Sequence, residues 1–252
     1  MDVKSRVPES VKAIARPLVW RLSDLAAKSR GTLTPPRRLA VQVPGEFVSV
    51  GREFLAYFRS LGHLRPDQRV LDIGCGPGRM AIPLTGYLSA QGSYEGVDTW
   101  SEAVEWCSKR ITARFGNFRF SLLDDFSPAG QGTFPYEDAT FDFVMVCAIS
   151  RLAESAFRSY VSEAGRLLRP GGTYFGTCLL RAETSTGATS AAALPRPGST
   201  ANEVRLIFSE AQIRELLGSN GLVLDAVYRG SWDGHPTPLS YQDIVVASKR
   251  DG

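Results

Sequence analysis

The sequence lacks any run approaching the ~18 consecutive apolar residues that a membrane-spanning helix needs, so nothing in it reads as a span. Its first residues mix Asp2 and Glu9 with apolar positions and contain no uninterrupted apolar core. They do not read as a secretory signal, and a cytoplasmic location is the expectation. There are only two histidines and four cysteines. Cys75, Cys107, Cys147 and Cys178 form no C-x-x-C pair and stand at no zinc spacing from a histidine, which excludes a zinc ribbon or finger. They lie in or beside apolar segments, so buried reduced thiols are expected. Charge of either sign is not in excess: the formal net charge is +3. No dense Lys/Arg run with interleaved aromatics appears, so the footprint of a nucleic-acid partner is missing. No internal repeat is visible.

What is present is ordinary globular material. The 252 residues are 43% hydrophobic and 22% charged, enough for one large α/β domain with decorations or for two small domains. Residues 8–30 carry apolar side chains at helical spacing (Val11, Ile14, Ala15, Leu18, Leu22, Leu25, Ala26), with Lys12, Arg16, Arg21 and Lys28 mostly off that stripe. A basic amphipathic helix can lie on a membrane, pack as an arm or make a dimer contact. Thr-Pro-Pro, Arg-Arg and Pro-Gly make 31–46 a loop. Residues 1–46 are therefore expected to form a helical arm and linker, and 47–252 the main domain.

From residue 47 helical and strand patterns alternate. Helices are expected over 51–61, 78–90, 101–114 and 153–168; strands over 69–73, 93–97, 118–122, 141–147 and 172–179. This repeated βαβ pattern predicts a parallel sheet covered by helices on both faces. Residues 181–203, rich in Ala, Thr, Ser, Gly and Pro, break the rhythm and read as a lid or an excursion. A helix over 209–219 and strands over 222–229 and 243–248 complete the chain.

In an open parallel sheet, ligands bind beyond the carboxyl ends of the strands. After the first strand comes Gly74-Cys75-Gly76-Pro77-Gly78, after the second Asp98-Thr99-Trp100, after the third Asp124-Asp125-Phe126. The glycines let backbone approach a ligand closely. Asp98, 24 residues past Gly74, can accept both hydrogen bonds of a ribose diol, or it simply caps the helix that starts near Ser101. A dinucleotide wants G-x-G-x-x-G; here the spacing is G-x-G-x-G and the next residue is Arg79. Asp72, two residues before the first glycine, suits a ligand with an amino-acid tail whose ammonium needs acceptors.

These residues resemble a known family. VLDIGCGPGRMAIPL looks like the first motif of class I S-adenosylmethionine-dependent methyltransferases, and YEGVDTW, FRFSLLDDF, FPYEDATFDFVMVCAIS and EAGRLLRPGGTYF resemble the motifs that follow it in order. FSEAQIRELLGSNGL and QDIVVASK sit where that family has its final helix and antiparallel strand. The likeness covers about residues 50–250. It implies a doubly wound, mostly parallel seven-stranded Rossmann-like sheet with an antiparallel last strand, and S-adenosyl-L-methionine as cofactor. By position, Asp72, Gly74, Cys75, Gly76 and Gly78 would line the methionine portion. Asp98, with Thr99 and Trp100, would hold the ribose; Asp124, with Asp125 or Phe126, would meet the adenine; Cys147 would flank the sulfonium. Arg169-Pro170-Gly171-Gly172 is read as a turn setting the fifth strand.

Methyl transfer from a sulfonium asks the protein mainly to align the acceptor, and a hydroxyl acceptor benefits from a general base. His63 precedes the first strand, at the wrong sheet edge. His235, after the sixth strand, is the candidate base, with Asp233 as an orienting or alternative carboxylate; Asp-Gly-His-Pro is equally readable as a plain turn. Many bacterial relatives carry a histidine where Ser150-Arg151 stands here. Arg151 is no base but can bind an anionic or hydroxyl-rich substrate. Glu154 can serve as a base or simply start its helix. With Trp232 as a stacking face and Tyr241 nearby, this mix suits a sugar, an oligosaccharide or another small natural product, and O-methylation is the expected reaction. N-methylation or methylation of a phenol, a nicotinamide-dependent reductase and an inactive cofactor-binding partner subunit are the alternatives. A divalent cation held by Asp124 and Asp125 stays open, although adjacent residues on one strand end point apart. A homodimer through the N-terminal arm is a further expectation.

Overall fold

The structure, a computed structural model, describes residues 33–123, 133–147, 153–181 and 206–250. The predicted helix over 8–30 and nearly all of the lid-like 181–203 segment lie outside them. Four helices flank the strands on the N-terminal side: α1 (Arg37–Ala40), α2 (Phe47–Ser60), α3 (Ala81–Leu84) and α4 (Ser101–Cys107), the last running on into a π-helical turn (Ser108–Thr112). The strands are β1 (Arg69–Ile73), β2 (Ser93–Asp98), β3 (Phe118–Leu122), β4 (Phe141–Val146), β5 (Leu168–Arg181), β6 (Ile207–Ser209), β7 (Leu222–Tyr228) and β8 (Asp243–Lys249). Helices α5 (Glu154–Leu167) and α6 (Glu210–Ser219) complete the set. Among the described residues no helix is long and apolar enough to cross a membrane.

Seven strands run in the order β3-β2-β1-β4-β5-β8-β7, and β6 pairs with the end of β5, giving eight in all. Strands β1 to β5 pair with one another in parallel; β8 is antiparallel to both β5 and β7. The doubly wound sheet with an antiparallel last strand is thus borne out, and the three-residue β6 is an addition that its short apolar run did not announce.

Burial explains the layout. Every residue of β4 is buried, as a strand covered on both faces must be. Successive β1 residues alternate: Val70 packs with α2 to α4, while Leu71 and Ile73 pack with α5 and α6. Phe58 of α2 is fully buried and makes edge contacts with Phe143 and Phe175, ring centroids 5.7 and 4.9 Å away. These fix α2 on the sheet; truncating such an aromatic costs about 3–5 kcal/mol. Ser209 and Gln212 form a reciprocal capping box that starts α6.

Three expectations shift. The helix predicted over 78–90 shrinks to α3, because Pro83 and Gly86 interrupt it and 85–87 become turns. The stretch 31–46 is not all loop: α1 forms, with Leu39 fully buried. An ion pair between Arg38 and Glu102 ties it to α4. The β5 strand is longer than predicted. Its residues 169–172 bulge out as the pairing jumps from Phe141↔Leu168 to Phe143↔Thr173, and Gly171 takes a φ of +71° in that excursion.

Candidate functional site

Strand register decides which residues meet. Ile73 lies beside Val97 of β2 and beside Val146 of β4. Gly74, Asp98 and Cys147 therefore emerge together at one edge of the sheet. Asp98 lies beside Leu122, the last residue of β3. Because β8 is antiparallel, Asp243 at its start lies opposite Cys178 of β5, which brings 229–242 to the same edge.

The glycine loop closes on itself. The N–H groups of Gly74 and Cys75 donate to the Val97 carbonyl (2.8 and 3.1 Å), and that of Gly78 to the Cys75 carbonyl (3.1 Å). The Gly76 N–H donates to Asp98 Oδ2 at 2.6 Å, and Pro77 has none. Every backbone donor from 74 to 78 is thus engaged by the protein itself. A pyrophosphate cradle needs such donors free and convergent, so this loop is not built as one. Gly74 and Gly76 nevertheless border open space. Their φ values are +83° and +49°, and a Cβ at either would meet nothing within 4 Å. A ligand can therefore lie directly against this backbone. Gly78 differs: a Cβ there would stand 3.0 Å from Ile111 and 3.1 Å from the Cys107 sulfur. It is the position where the π-helical turn packs onto the loop.

Asp98 anchors the loop with one oxygen and accepts the Trp100 N–H with the other, at 2.8 Å. A carboxylate offers about four lone-pair sites, so it keeps capacity for a diol while holding its own turn. Thr99 is exposed and Trp100 half-buried beside it. Asp72 is buried and accepts the Tyr94 hydroxyl at 2.6 Å. Burial pushes its pKa up to about 7 against the pull of that hydrogen bond; Asp98 adds to the rise and Arg79 opposes it. Cys75 is buried under the loop and its thiol pushed well up by burial. Burial likewise pushes up the Cys147 thiol, with Asp72 adding and Arg79 opposing.

On the other side of the edge, 229–242 prolongs the β7–β8 hairpin. Ser231 and Trp232 N–H groups donate to the Ser240 and Tyr241 carbonyls at 2.9 and 3.1 Å. Fully buried Asp243 holds its base. It accepts from Leu180 N–H (2.7 Å), Gly230 N–H (2.9 Å) and the Trp232 indole (2.5 Å), and Arg229 lies 3.4 Å away. The Trp232 indole N–H is thus committed to the scaffold. Asp233 pairs with Arg229 at 3.0 Å and accepts the backbone N–H of His235 at 3.3 Å. Among the described residues it makes no hydrogen bond to the imidazole, whose Nδ1 is buried without a partner. Tyr241 is exposed. Tyr57 of α2 donates to the Leu239 carbonyl, pinning the loop tip to the helix layer. Glu154 opens α5 and pairs with Arg158 at 2.7 Å.

Asp124, Asp125, Phe126, Ser150 and Arg151 lie outside the described residues. Among the described residues no group of three or more His, Cys, Asp and Glu is arranged to hold a metal ion. Sequence reasoning missed Tyr94, Arg79 and the Asp243–Arg229 hub. An acidic residue opening the apolar run DIVVAS was the one visible hint of that hub; Tyr94 offered none, being one aromatic in a strand.

Residues 70–172 match the family model described as a methyltransferase domain. A probable cobalt-precorrin-6B C(15)-methyltransferase (decarboxylating) of Thermoplasma acidophilum is 34% identical over 86 residues, 33% of this chain and 39% of that protein. A demethylmenaquinone methyltransferase of Symbiobacterium thermophilum is 28% identical over 134 residues, 53% of this chain and 50% of that one. The chain spans half or less of the length of the curated relatives it matches. The crystal structure of Burkholderia thailandensis 1,6-didemethyltoxoflavin-N1-methyltransferase, with 1,6-didemethyltoxoflavin and S-adenosylhomocysteine bound, superposes with a TM-score of 0.56. At 18% identity, over 100% of this chain and 94% of that one, it shows the fold alone.

Proposed function

We propose that this chain is a class I S-adenosylmethionine-dependent methyltransferase, supported by the methyltransferase-domain match over residues 70–172, and that it methylates a hydroxyl of a sugar or other small polyhydroxylated natural product. The carrying observation is the glycine loop. It presents open backbone at Gly74 and Gly76 while spending its N–H groups on itself and on Asp98. That arrangement fits a nucleoside whose bridge to its tail carries no negative charge and does not fit a dinucleotide pyrophosphate. Gly74, Gly76 and Asp72 would line the methionine part; Asp98, Thr99 and Trp100 would hold the ribose; Asp124 to Phe126 and Cys147 would complete the pocket. When bound, S-adenosylmethionine supplies an activated methyl on a good leaving group.

The residues of the chain then have the tasks of alignment and proton removal. His235 can take a proton at Nδ1, the atom with no partner among the described residues. Asp233 and Arg229 hold the turn that carries it. Trp232 and Tyr241, paired across the same loop, would offer aromatic surface, and Ser150 and Arg151, which lie outside the described residues, would add polar groups by their chemistry alone; this mix favours a hydroxyl-rich acceptor. The relatives' names span different acceptors, so this choice rests on the loop residues. Labelled S-adenosylmethionine offered with a panel of short oligosaccharides, phenols and amines tests it: label should reach a sugar hydroxyl. Binding of NADH without binding of S-adenosylhomocysteine would overturn the cofactor assignment, and label on amines alone the acceptor assignment.

A further inference from the structure

The candidate base opens the run His235-Pro236-Thr237-Pro238-Leu239. Proline has no N–H and fixes φ. Pro236 and Pro238 therefore donate nothing across the loop, and they stiffen the short path from His235 to Leu239. The position of such a segment depends on what fastens its ends. Upstream, Asp233 and Arg229 hold the turn before His235. Downstream, the pin is Tyr57 of α2, whose hydroxyl donates to the Leu239 carbonyl. Among the described residues, every other hydrogen bond made by 231–240 stays within 229–243. The Tyr57 bond is the one among them that reaches this loop from another element.

The pin has firm backing. Tyr57 adjoins Phe58, which fixes α2 on the sheet, and its own ring meets Phe54 edge-on with centroids 5.8 Å apart. Burial, aided by Glu53, pushes its pKa up to about 12, so at neutral pH the phenol keeps its proton and remains a donor. That proton has two claimants. Glu53, one turn earlier on α2, accepts from the same hydroxyl at 2.7 Å. A phenol donates one hydrogen, so it cannot fully serve an ionised Glu53 and the Leu239 carbonyl at once.

We propose that Tyr57 is a positioning residue: its hydroxyl latches the proline-stiffened end of the loop to α2 and so holds His235 in place for proton removal, with Glu53 competing for the latch proton. The proposal rests on the reading of His235 as general base. A base must stay within hydrogen-bond reach of the proton it takes, so a loosened loop lowers the rate without abolishing it.

Hydrogen exchange of the full chain, followed by mass spectrometry, reads the latch directly. The reporters are the Ser231, Trp232 and Leu239 amides, whose acceptors lie across the loop. Tyr57→Phe keeps the ring and removes the donor; these amides should exchange about 3- to 10-fold faster, the worth of one net hydrogen bond, while those of β4 and β5 stay unchanged. Glu53→Gln can donate to the phenol oxygen and leaves the phenol proton to Leu239, so the same amides should exchange more slowly. Transfer of label from S-adenosylmethionine to the panel of short oligosaccharides supplies the second readout. Tyr57→Phe should lower it about 3- to 10-fold in the wild-type background and less than about twofold in His235→Ala, because the latch acts through His235. S-adenosylhomocysteine affinity should hold within about twofold. Unchanged exchange at the reporter amides in Tyr57→Phe overturns the proposal, as does faster exchange in Glu53→Gln. An equal loss of transfer in both backgrounds overturns it too, and would place Tyr57 on the acceptor itself. Faster exchange throughout the sheet, with loss of S-adenosylhomocysteine binding, points to a structural role and also overturns it. An unchanged rate in His235→Ala alone overturns the base assignment beneath the proposal, a result told apart from the others because the exchange pattern is read without any acceptor.

Discussion

Asp72→Asn is the sharpest perturbation the structure offers, because it replaces a buried carboxyl by a neutral group of the same shape. In the folded protein Asp72 titrates near 7 against an ordinary 3.8, chiefly because burial penalises its charge. The folded state therefore holds a proton on Asp72 between these values and the unfolded chain does not. Stability contributed by this group is fully present below about pH 4 and is lost as pH rises through about 7. At 1.36 kcal/mol per pH unit, the difference amounts to about 4 kcal/mol above pH 7. An asparagine mimics the protonated form, and its amide oxygen can still accept from Tyr94. The variant should match wild type near pH 4 and exceed it by about 2–4 kcal/mol at pH 8 in ligand-free protein. Urea unfolding at a series of pH values, followed by intrinsic fluorescence, measures this. The difference between the two profiles is the readout, since every other titrating group cancels in it. A difference that is flat from pH 4 to 8, or that favours wild type at high pH, refutes the reasoning.

The same carboxyl must ionise to meet an ammonium, so S-adenosylhomocysteine affinity should rise about tenfold per pH unit up to about 7 and then level, with proton release visible by calorimetry in two buffers. Gly76→Ala, with open space at its Cβ, should cost only the left-handed backbone penalty of about 1–2 kcal/mol but weaken cofactor binding more than tenfold. Gly78→Ala adds overpacking against Ile111 and Cys107 and should lose a further 1–3 kcal/mol or so in thermal or chemical unfolding. Asp243→Ala strands the Leu180, Gly230 and Trp232 donors; about 3–5 kcal/mol of stability should disappear and Trp232 fluorescence should change, while S-adenosylhomocysteine affinity holds within severalfold. His235→Ala should lower turnover with a hydroxyl acceptor by about 10²-fold or more, and an unchanged rate would remove it as the base.

Much of the fold was legible because strands and helices here follow their own periods. The segment FDFVMV, apolar but for Asp142, had to be a central strand, and β1 running into three glycines had to end at a tight turn. The fate of those glycines was less legible. Spacing predicted all three against a ligand; packing leaves open space at Gly74 and Gly76 and puts Gly78 under a π-helical turn, where Ile111 and Cys107 approach it. Trp232 shows the same limit. Its position in the loop after the sixth expected strand was predictable, but the commitment of its indole to Asp243 depends on an antiparallel partner eleven residues on.

By itself the sequence determined the βαβ order and the edge of the sheet at which the glycine loop and Asp98 emerge, because these follow from local period and chain direction, and its motifs carried the resemblance that implies the cofactor class. Tertiary structure alone decided which polar groups are already satisfied. The loop's N–H groups are consumed by Val97, Cys75 and Asp98, burial raises the Asp72 pKa to about 7, and among the described residues Arg79 donates to a single carbonyl. Those facts depend on which side chains come to share a low-dielectric space, and residues distant in sequence settle that only when the sheet closes around them.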